Sequence, residues 1–518
     1  MNAYILCITL TVIASTGCLC AITPDCKNHK QSGHDSFVCV CTESQPCDRI
    51  VGAVKTEPNV VTRWESSRDG ARLRKQSLHF NKQVNSEGNP LAAQLHIKVN
   101  RDLKHQEIFG FGGAFTDSTG ININKLGDKL GAQVLDDYFS KEGIEYNVGR
   151  IPIGGSDFSP RPYALDDSGD DLTLKKWNLT AEDLQYKIPT ILKAKALATH
   201  EIRLFGSPWS APKWMKTNND LVHGGSIKGE VGSQYWQTWA NYFVHYLNAY
   251  KAHNITHWGI TIQNEPRANQ KFNSMLYTPE QMRDFLVKTL GPELERSGWG
   301  PDKLKVMILD HNLDLIKEWV RVIFADAGAR KYAAGTATHW YSSSPHTYLD
   351  EPHAQHPDKF ILATEACMGP HVRLGLWQLA ERYAYDILGS LLHHTVGWTD
   401  WNMVLDTQGG PTWVSNFVDA PIIANPAGHE YYRQPSFYAM AHFSKFLPPG
   451  SVRVDSPTVT QQGNKATAGA FRTPHGSTVV VVVNNDETDI EFTLEDTTAG
   501  KLSAKIDRKS IHTYVYYD

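Results

Sequence analysis

Two strand-like runs end on a carboxylate. Trp258 to Pro266 (WGITIQNEP) closes on Asn264 and Glu265, and Phe360 to Glu365 (FILATE) closes on Glu365. A single Glu at such a place would serve as well in a solvated loop or a salt bridge, because charged side chains are mostly exposed. The order Asn-Glu-Pro after a β-rich run is unusual, however, and a carboxylate carried out of a buried strand is costly unless it has a task. Paired carboxyls suit the cleavage of a glycosidic bond: one, protonated, donates to the departing oxygen, and the other, ionised, attacks or activates water. Tryptophans on neighbouring runs (Trp209, Trp340, Trp398, Trp401) offer flat apolar faces for a sugar ring, and Asn, Asp and Arg side chains can bond its hydroxyls.

Other chemistries fit less well. His311 and His339 come from different runs with no closely spaced carboxylate, and His393-His394 falls in a helical stretch, so no metal is expected. Nothing calls for a cofactor. The glycines around Phe111 (GFGG) lack the Lys-Ser/Thr of a phosphate loop and are read as close backbone packing. Cys367 has no histidine to activate it in sequence and is read as a buried free thiol.

The elements that must carry these residues recur in order. Strand-like runs lie at Ile108–Phe115, Tyr146–Ile153, Glu201–Trp209, Trp258–Glu265, Lys305–His311, Gly335–Tyr341, Phe360–Glu365 and Val396–Asn402. Helical periodicity separates most of them, as in Leu184–Ala198, Gln234–Lys251 and Pro279–Leu290. Eight strand-then-helix units predict a (β/α)8 TIM barrel, in which the carboxyl ends of the strands build the site. Both ends of the chain read as strands instead: alternation over Leu91–Val99 at one end, and Thr478–Val483 and Ile511–Tyr517 at the other, predict a β-domain assembled from both termini.

The remaining features place the chain in the secretory route. Tyr4–Ala14 is an apolar run too short to span a bilayer comfortably, and is read as part of a signal peptide ending near Ala21; no later stretch is apolar enough to cross. Cys26, Cys39, Cys41 and Cys47 crowd the segment after it, which predicts two disulfides in a small stapled unit, whereas Asn178-Leu179-Thr180 and Asn254-Ile255-Thr256 are glycosylation sequons. A net charge of −4 gives no basic footprint, so nucleic acid is not a partner.

Five segments then carry a family resemblance: GFGGAFTD at Gly110–Asp117, SPWSAP at Ser207–Pro212, ITIQNEP at Ile260–Pro266, LATEACMG at Leu362–Gly369 and VGWTDWN at Val396–Asn402. They resemble the animal lysosomal glucosylceramidases of glycoside hydrolase family 30, and the likeness runs from about Cys26 to the C-terminus. It implies a signal peptide at 1–21, a disulfide-stapled small β-sheet at 22–53 completed by about 403–434, a β-sandwich from 54–105 plus 451–518, and a catalytic barrel from 106–402 plus 435–450.

The implied activity is that of a retaining β-glucosidase, releasing glucose and ceramide from glucosylceramide in an acidic compartment. Glu265 matches the acid/base and Glu365 the nucleophile. Asp157, Trp209, Asn264, Trp401 and Asn416 match glucose-holding positions, with Arg150 and His339 in support. The close like charge leads us to expect a raised pKa for Glu265. The implied partners are glucosylceramide in membranes, a saposin-like activator and anionic lipid, and the implied location is the lysosomal lumen, membrane-associated, with extracellular secretion as the alternative. Family-related β-1,6-glucanases and xylanases are the competing enzymes on the same barrel; a non-catalytic carbohydrate-binding protein would have lost one of the carboxylates. Two departures stand out. Arg267–Tyr277 is shorter and more polar than in the vertebrate enzymes, and the mature chain keeps a single unpaired cysteine where they carry more.

Overall fold

Residues 25–81 and 94–517 are described by the computed structural model; the signal peptide expected at 1–21 and the first residues of the strand read from Leu91 lie outside them. Eight parallel strands close on themselves: β1 (Gly110–Ala114), β2 (Val148–Ile153), β3 (Arg203–Pro208), β4 (Gly259–Thr261), β5 (Lys305–Asn312), β6 (Ala333–His339), β7 (Phe360–Glu365) and β8 (Thr395–Asn402). The seam pairs Gly397 and Trp398 with Gly110 and Phe111. It depends on glycine: a Cβ on Gly397 would meet the Gly110 carbonyl oxygen at 2.2 Å, and one on Gly112 the Val148 oxygen at 1.8 Å. The GFGG cluster therefore serves close backbone packing, as expected.

The outer helices follow the sequence periodicity. Gln234–Ala252 buries Trp236, Trp239, Ala240, Phe243, Leu247 and Tyr250, one stripe at helical spacing. Each large apolar side chain so buried contributes about 1.5–3 kcal/mol. Pro279–Phe285 starts with Pro at its first turn and a capping box between Thr278 and Gln281, which satisfies donors left free at a helix start. The strand that departs furthest from expectation is β4, which stops at Thr261 rather than reaching Glu265. Beyond it, the Asn264 N–H donates to the Pro208 carbonyl, the Gln263 amide donates to the Trp209 carbonyl, and Glu265 adopts a left-handed φ of +45°. The chain is turned across the barrel mouth there, not extended out of it.

The sandwich sheet runs, in order, through 500–506, 490–496, 95–107, 452–455, 467–472, 477–484, 510–517, 60–67 and 72–79. Ser477–Asn484 is buried on both sides, which explains its unbroken run of valines: Val479, Val481 and Val483 pack toward the barrel core, and Val480 and Val482 into the sandwich core. A third, five-stranded sheet joins 29–31 and 37–42 to 404–406, 422–425 and 430–433. Disulfides Cys26–Cys39 and Cys41–Cys47 staple it. No described helix is long and apolar enough to cross a membrane.

Candidate active site

A cavity of about 470 Å³ opens at the carboxyl ends of the barrel strands, lined among others by Asp157, Trp209, Asn264, Glu265, Glu365, Trp401 and Asn416. All seven residues read from sequence as acid, nucleophile or sugar-holding groups thus face one space. Two larger clefts, of about 650 and 770 Å³, lie away from the strand tips, and their carboxylates are occupied: Asp25 and Asp48 by Arg74 and Lys27, Glu142 and Glu145 by Arg49 and Lys445.

Glu365 leaves the end of β7 with both oxygens held. Oε2 accepts from the Arg150 guanidinium and Oε1 from the Tyr341 hydroxyl at 2.8 Å. Glu265 faces it, its Oε1 3.3 Å from His339 Nδ1 and 4.0 Å from His311 Nδ1. One oxygen of each carboxylate and His339 Nδ1 or Nε2 all lie within 4.8 Å of one another. Trp209 and Trp401 stack with ring centroids 5.1 Å apart, and the Arg150 guanidinium sits over both rings at 4.9 and 5.5 Å. Arg150 also donates to Asn264 Oδ1 at 2.8 Å, and Asn416 donates to Asp157 Oδ2 at 2.8 Å.

The support behind these groups converges on a residue that sequence reasoning passed over. Asp310 on β5 is fully buried and takes Arg150 and Thr261 on one oxygen, His339 and Thr364 on the other. A register shift between Leu309 and His311, with left-handed φ values of +69° and +57° at Leu309 and Asp310, accompanies this inward placement. Such conformations cost about 1–3 kcal/mol each for non-glycine residues and persist where surrounding structure enforces them. A charged residue inside the apolar run KVMILDH is the signal in the sequence that points to it.

Electrostatics follow from the same contacts. Burial opposes charge on Arg150 and His339, but Asp310 and Glu365 hold the guanidinium charged, and Glu365, Asp310 and Glu265 push His339 up to about 9. Burial alone would raise Glu265; the hydrogen bond and charge of His339, then His311 and Arg150, outweigh it and hold the carboxyl below its ordinary value. The expected raised pKa of Glu265 is therefore corrected for this arrangement: its nearest charged neighbour is a cation. Asp157 is different, pushed up to about 7 by burial, against the opposing bond from Asn416.

Glu265, His339 and Glu365 could present one ligand atom each to a cation. The donor set does not suit one: both His339 nitrogens already face carboxylates, and a charged imidazole has no lone pair to give. Several other strand-tip residues point away from the cavity. Asp117 bonds Ser159 and Tyr163, Asp400 bonds Tyr383, and Trp340 and Trp398 pack on each other. Cys367 is half-buried in the cavity wall, not fully buried. Asn178 and Asn254 are both exposed.

Comparison with known proteins agrees with this architecture. Residues 108–447 match the glycosyl hydrolase family 30 TIM-barrel domain and residues 450–514 the glycosyl hydrolase family 30 beta sandwich domain. The chain is 39% identical to the lysosomal acid glucosylceramidase of Mus musculus, over 94% of its own length and 95% of the mouse chain. It is 29% identical to the endo-1,6-beta-D-glucanase BGN16.3 of Trichoderma harzianum, over 84% and 89% of the two chains. Among solved structures, SrfJ from Salmonella typhimurium superposes with a TM-score of 0.82 at 29% identity, covering 89% of this chain and all (100%) of that one. The chain belongs to glycosyl hydrolase family 30 and is a glycoside hydrolase.

Proposed function

We propose that the protein is a retaining β-glucosidase that hydrolyses glucosylceramide to glucose and ceramide. The observation that carries this reading is the approach of Glu265 and Glu365 to within 4.8 Å, oxygen to oxygen, beside a stacked tryptophan pair. Retaining enzymes hold their carboxyls about 5 Å apart, whereas inverting ones leave roughly 6.5–9.5 Å for a water. In the first step Glu365 attacks the anomeric carbon while Glu265 protonates the ceramide oxygen. Water then resolves the glycosyl-enzyme, with Glu265 as base.

Each neighbour has a part in this mechanism. Arg150 and Tyr341 each bond one oxygen of the attacking carboxylate, and Trp209 and Trp401 give the sugar a flat apolar wall. Asn264, Asp157 and Asn416 are placed to bond its hydroxyls. Asp157, raised toward 7, can donate as well as accept below that pH. Labelling by a cyclitol epoxide tests the core of this reading: the tagged peptide is expected to contain Glu365, and a tag elsewhere would overturn the assignment.

The lipid glucoside is favoured over a glucan by the mouse relative's identity, 39% against 29% for the Trichoderma glucanase. Release of glucose from glucosylceramide but not from a β-1,6-glucan is the expected result. With no membrane-spanning helix among the described residues, the enzyme would meet its substrate by docking on the bilayer, aided by anionic lipid and a saposin-like activator. Equal rates on liposomes with and without anionic lipid would remove that part. A lysosomal location is supported by the same relative's name and is tested by co-localisation with a lumenal marker.

A further inference from the structure

Asp310 is a buried charge without a task in the mechanism above. Its four donors come from four strands: His339 Nε2 at 3.0 Å on β6 and Thr364 Oγ1 at 2.7 Å on β7 to Oδ1, Arg150 Nη2 at 2.8 Å on β2 and Thr261 Oγ1 at 2.6 Å from β4 to Oδ2. Both oxygens are saturated, so Asp310 cannot reach a substrate and acts only through its neighbours. Two of those neighbours are the cations that face the catalytic carboxylates.

We propose that Asp310 is a positioning residue that keeps a proton on His339 Nδ1, the store from which Glu265 is supplied with the proton it delivers to the leaving oxygen. The proposal rests on Glu265 being the acid/base. With Nε2–H committed to Asp310, the other face of the ring, Nδ1, is directed to Glu265 Oε1 at 3.3 Å. The groups facing His339 are Glu265, Glu365 and Asp310, with His311 and Tyr341 at ring distances of 6.4 and 6.1 Å and Arg150 beyond Asp310. Three carboxylates against Arg150 alone would leave the buried cluster strongly negative, so one proton must stay in it. The raised His339 and lowered Glu265 are consistent with its resting on the imidazole.

The step balances without a co-reactant. As the C1–O bond breaks, its electron pair stays on the aglycone oxygen, which takes a proton from Glu265. The His339 Nδ1–H bond breaks to supply that proton, leaving a neutral imidazole that still donates Nε2–H to Asp310. The attacking water returns a proton along the same path. A raised pKa on Glu265 at rest is then unnecessary for its work as an acid.

The test uses the full-length protein, as wild type and as Asp310→Asn, Thr364→Val and Thr261→Val. Histidine ¹⁵N NMR, with His339 assigned through His339→Asn, reads ring protonation, and kcat/KM is followed against pH for an alkyl glucoside and a dinitrophenyl glucoside. The expected wild-type ring is doubly protonated at about pH 6.5, where an ordinary histidine is half neutral. Asp310→Asn is expected to move that titration, and the alkaline limb for the alkyl glucoside, at least about one unit toward acid. Its alkyl kcat/KM should fall about tenfold more than its dinitrophenyl kcat/KM, because only the former needs the acid.

A neutral wild-type ring at that pH, or an unmoved alkaline limb in folded Asp310→Asn, would overturn the proposal. Should that variant fail to fold, the wild-type spectrum decides alone, and Thr364→Val and Thr261→Val, which keep the charge, should leave the ring protonated. Failure of the parent reading is distinguishable: it would be a wild type that neither takes the epoxide on Glu365 nor cleaves the dinitrophenyl glucoside.

Discussion

The Tyr341 hydroxyl donates to Glu365 Oε1 at 2.8 Å, and the Tyr341 hydroxyl oxygen lies 3.3 Å from Cys367 Sγ. Arg150 holds the other oxygen of the carboxylate, so Tyr341 decides whether Glu365 is clamped on one side or two. The Tyr341 ring is 42% exposed at the cavity mouth, and little packing depends on its hydroxyl. Tyr341→Phe should lower kcat/KM roughly ten- to hundredfold, the value of a hydrogen bond to a charged group, with little change in Tm. Unchanged kinetics would mean that Arg150 alone orients the nucleophile.

Glu265→Gln separates the two chemical roles. Hydrolysis of the lipid glucoside should fall about 10²–10⁴-fold, because proton donation is lost, while a dinitrophenyl glucoside should still be attacked by Glu365 in the first step. Measuring the burst of dinitrophenol against steady-state turnover checks this: a burst followed by slow release is expected. Equal losses on both substrates would argue against an acid/base role.

The Trp209–Trp401 stack carries the Arg150 guanidinium and, in the proposed mechanism, is also the wall for the sugar. Trp401→Ala should therefore damage binding and stability together, costing about 3–5 kcal/mol as a buried large-to-small change. Trp401→Phe keeps an apolar face and should chiefly raise KM. Denaturant unfolding beside Michaelis kinetics separates the two.

Stability should depend on pH with opposing signs from two buried groups. Asp157 is raised to about 7, so between about pH 4 and 7 the folded protein keeps a proton that the unfolded chain has released; stability is lost as pH rises through that window. Asp157→Asn should flatten this slope by on the order of 1 kcal/mol per pH unit. His442 is held down to about 3 by burial between Thr513 and Ser66, so the unfolded chain takes up a proton below about pH 6.5 that the folded one refuses, and stability is lost as pH falls. His442→Gln should make the acid side shallower. Unfolding curves at several pH values check both slopes.

The barrel and its two glutamates were legible because strand runs recur and each ends on residues of distinctive chemistry. Asp310 was not, because its inward placement depends on a backbone irregularity between Leu309 and His311 that no side-chain pattern announces. The early end of β4 was hidden for a related reason. Ile262 and Gln263 read as strand by type, while the amide of Gln263 is spent on the Trp209 carbonyl and the chain has already turned. The pKa of Glu265 was misjudged from like charge alone, since the sequence does not tell which cation lies nearest. The five-stranded sheet joins residues near 40 to residues near 430 and was expected only through the family resemblance.

The last strand, Ser510–Tyr517, is hydrogen-bonded between Ser477–Asn484 and Val60–Ser67. During synthesis, Val60–Ser67 can pair on one edge with Arg72–His79, but its other edge must wait until nearly the whole chain has left the ribosome, while the barrel between them can form first. A chain ending between Asn484 and Ser510 would leave one edge of Val60–Ser67 and one edge of the valine-rich Ser477–Asn484 unpaired at once. Premature termination late in the message should accordingly yield aggregates and degradation, even though such a chain would still encode every residue of the catalytic pocket.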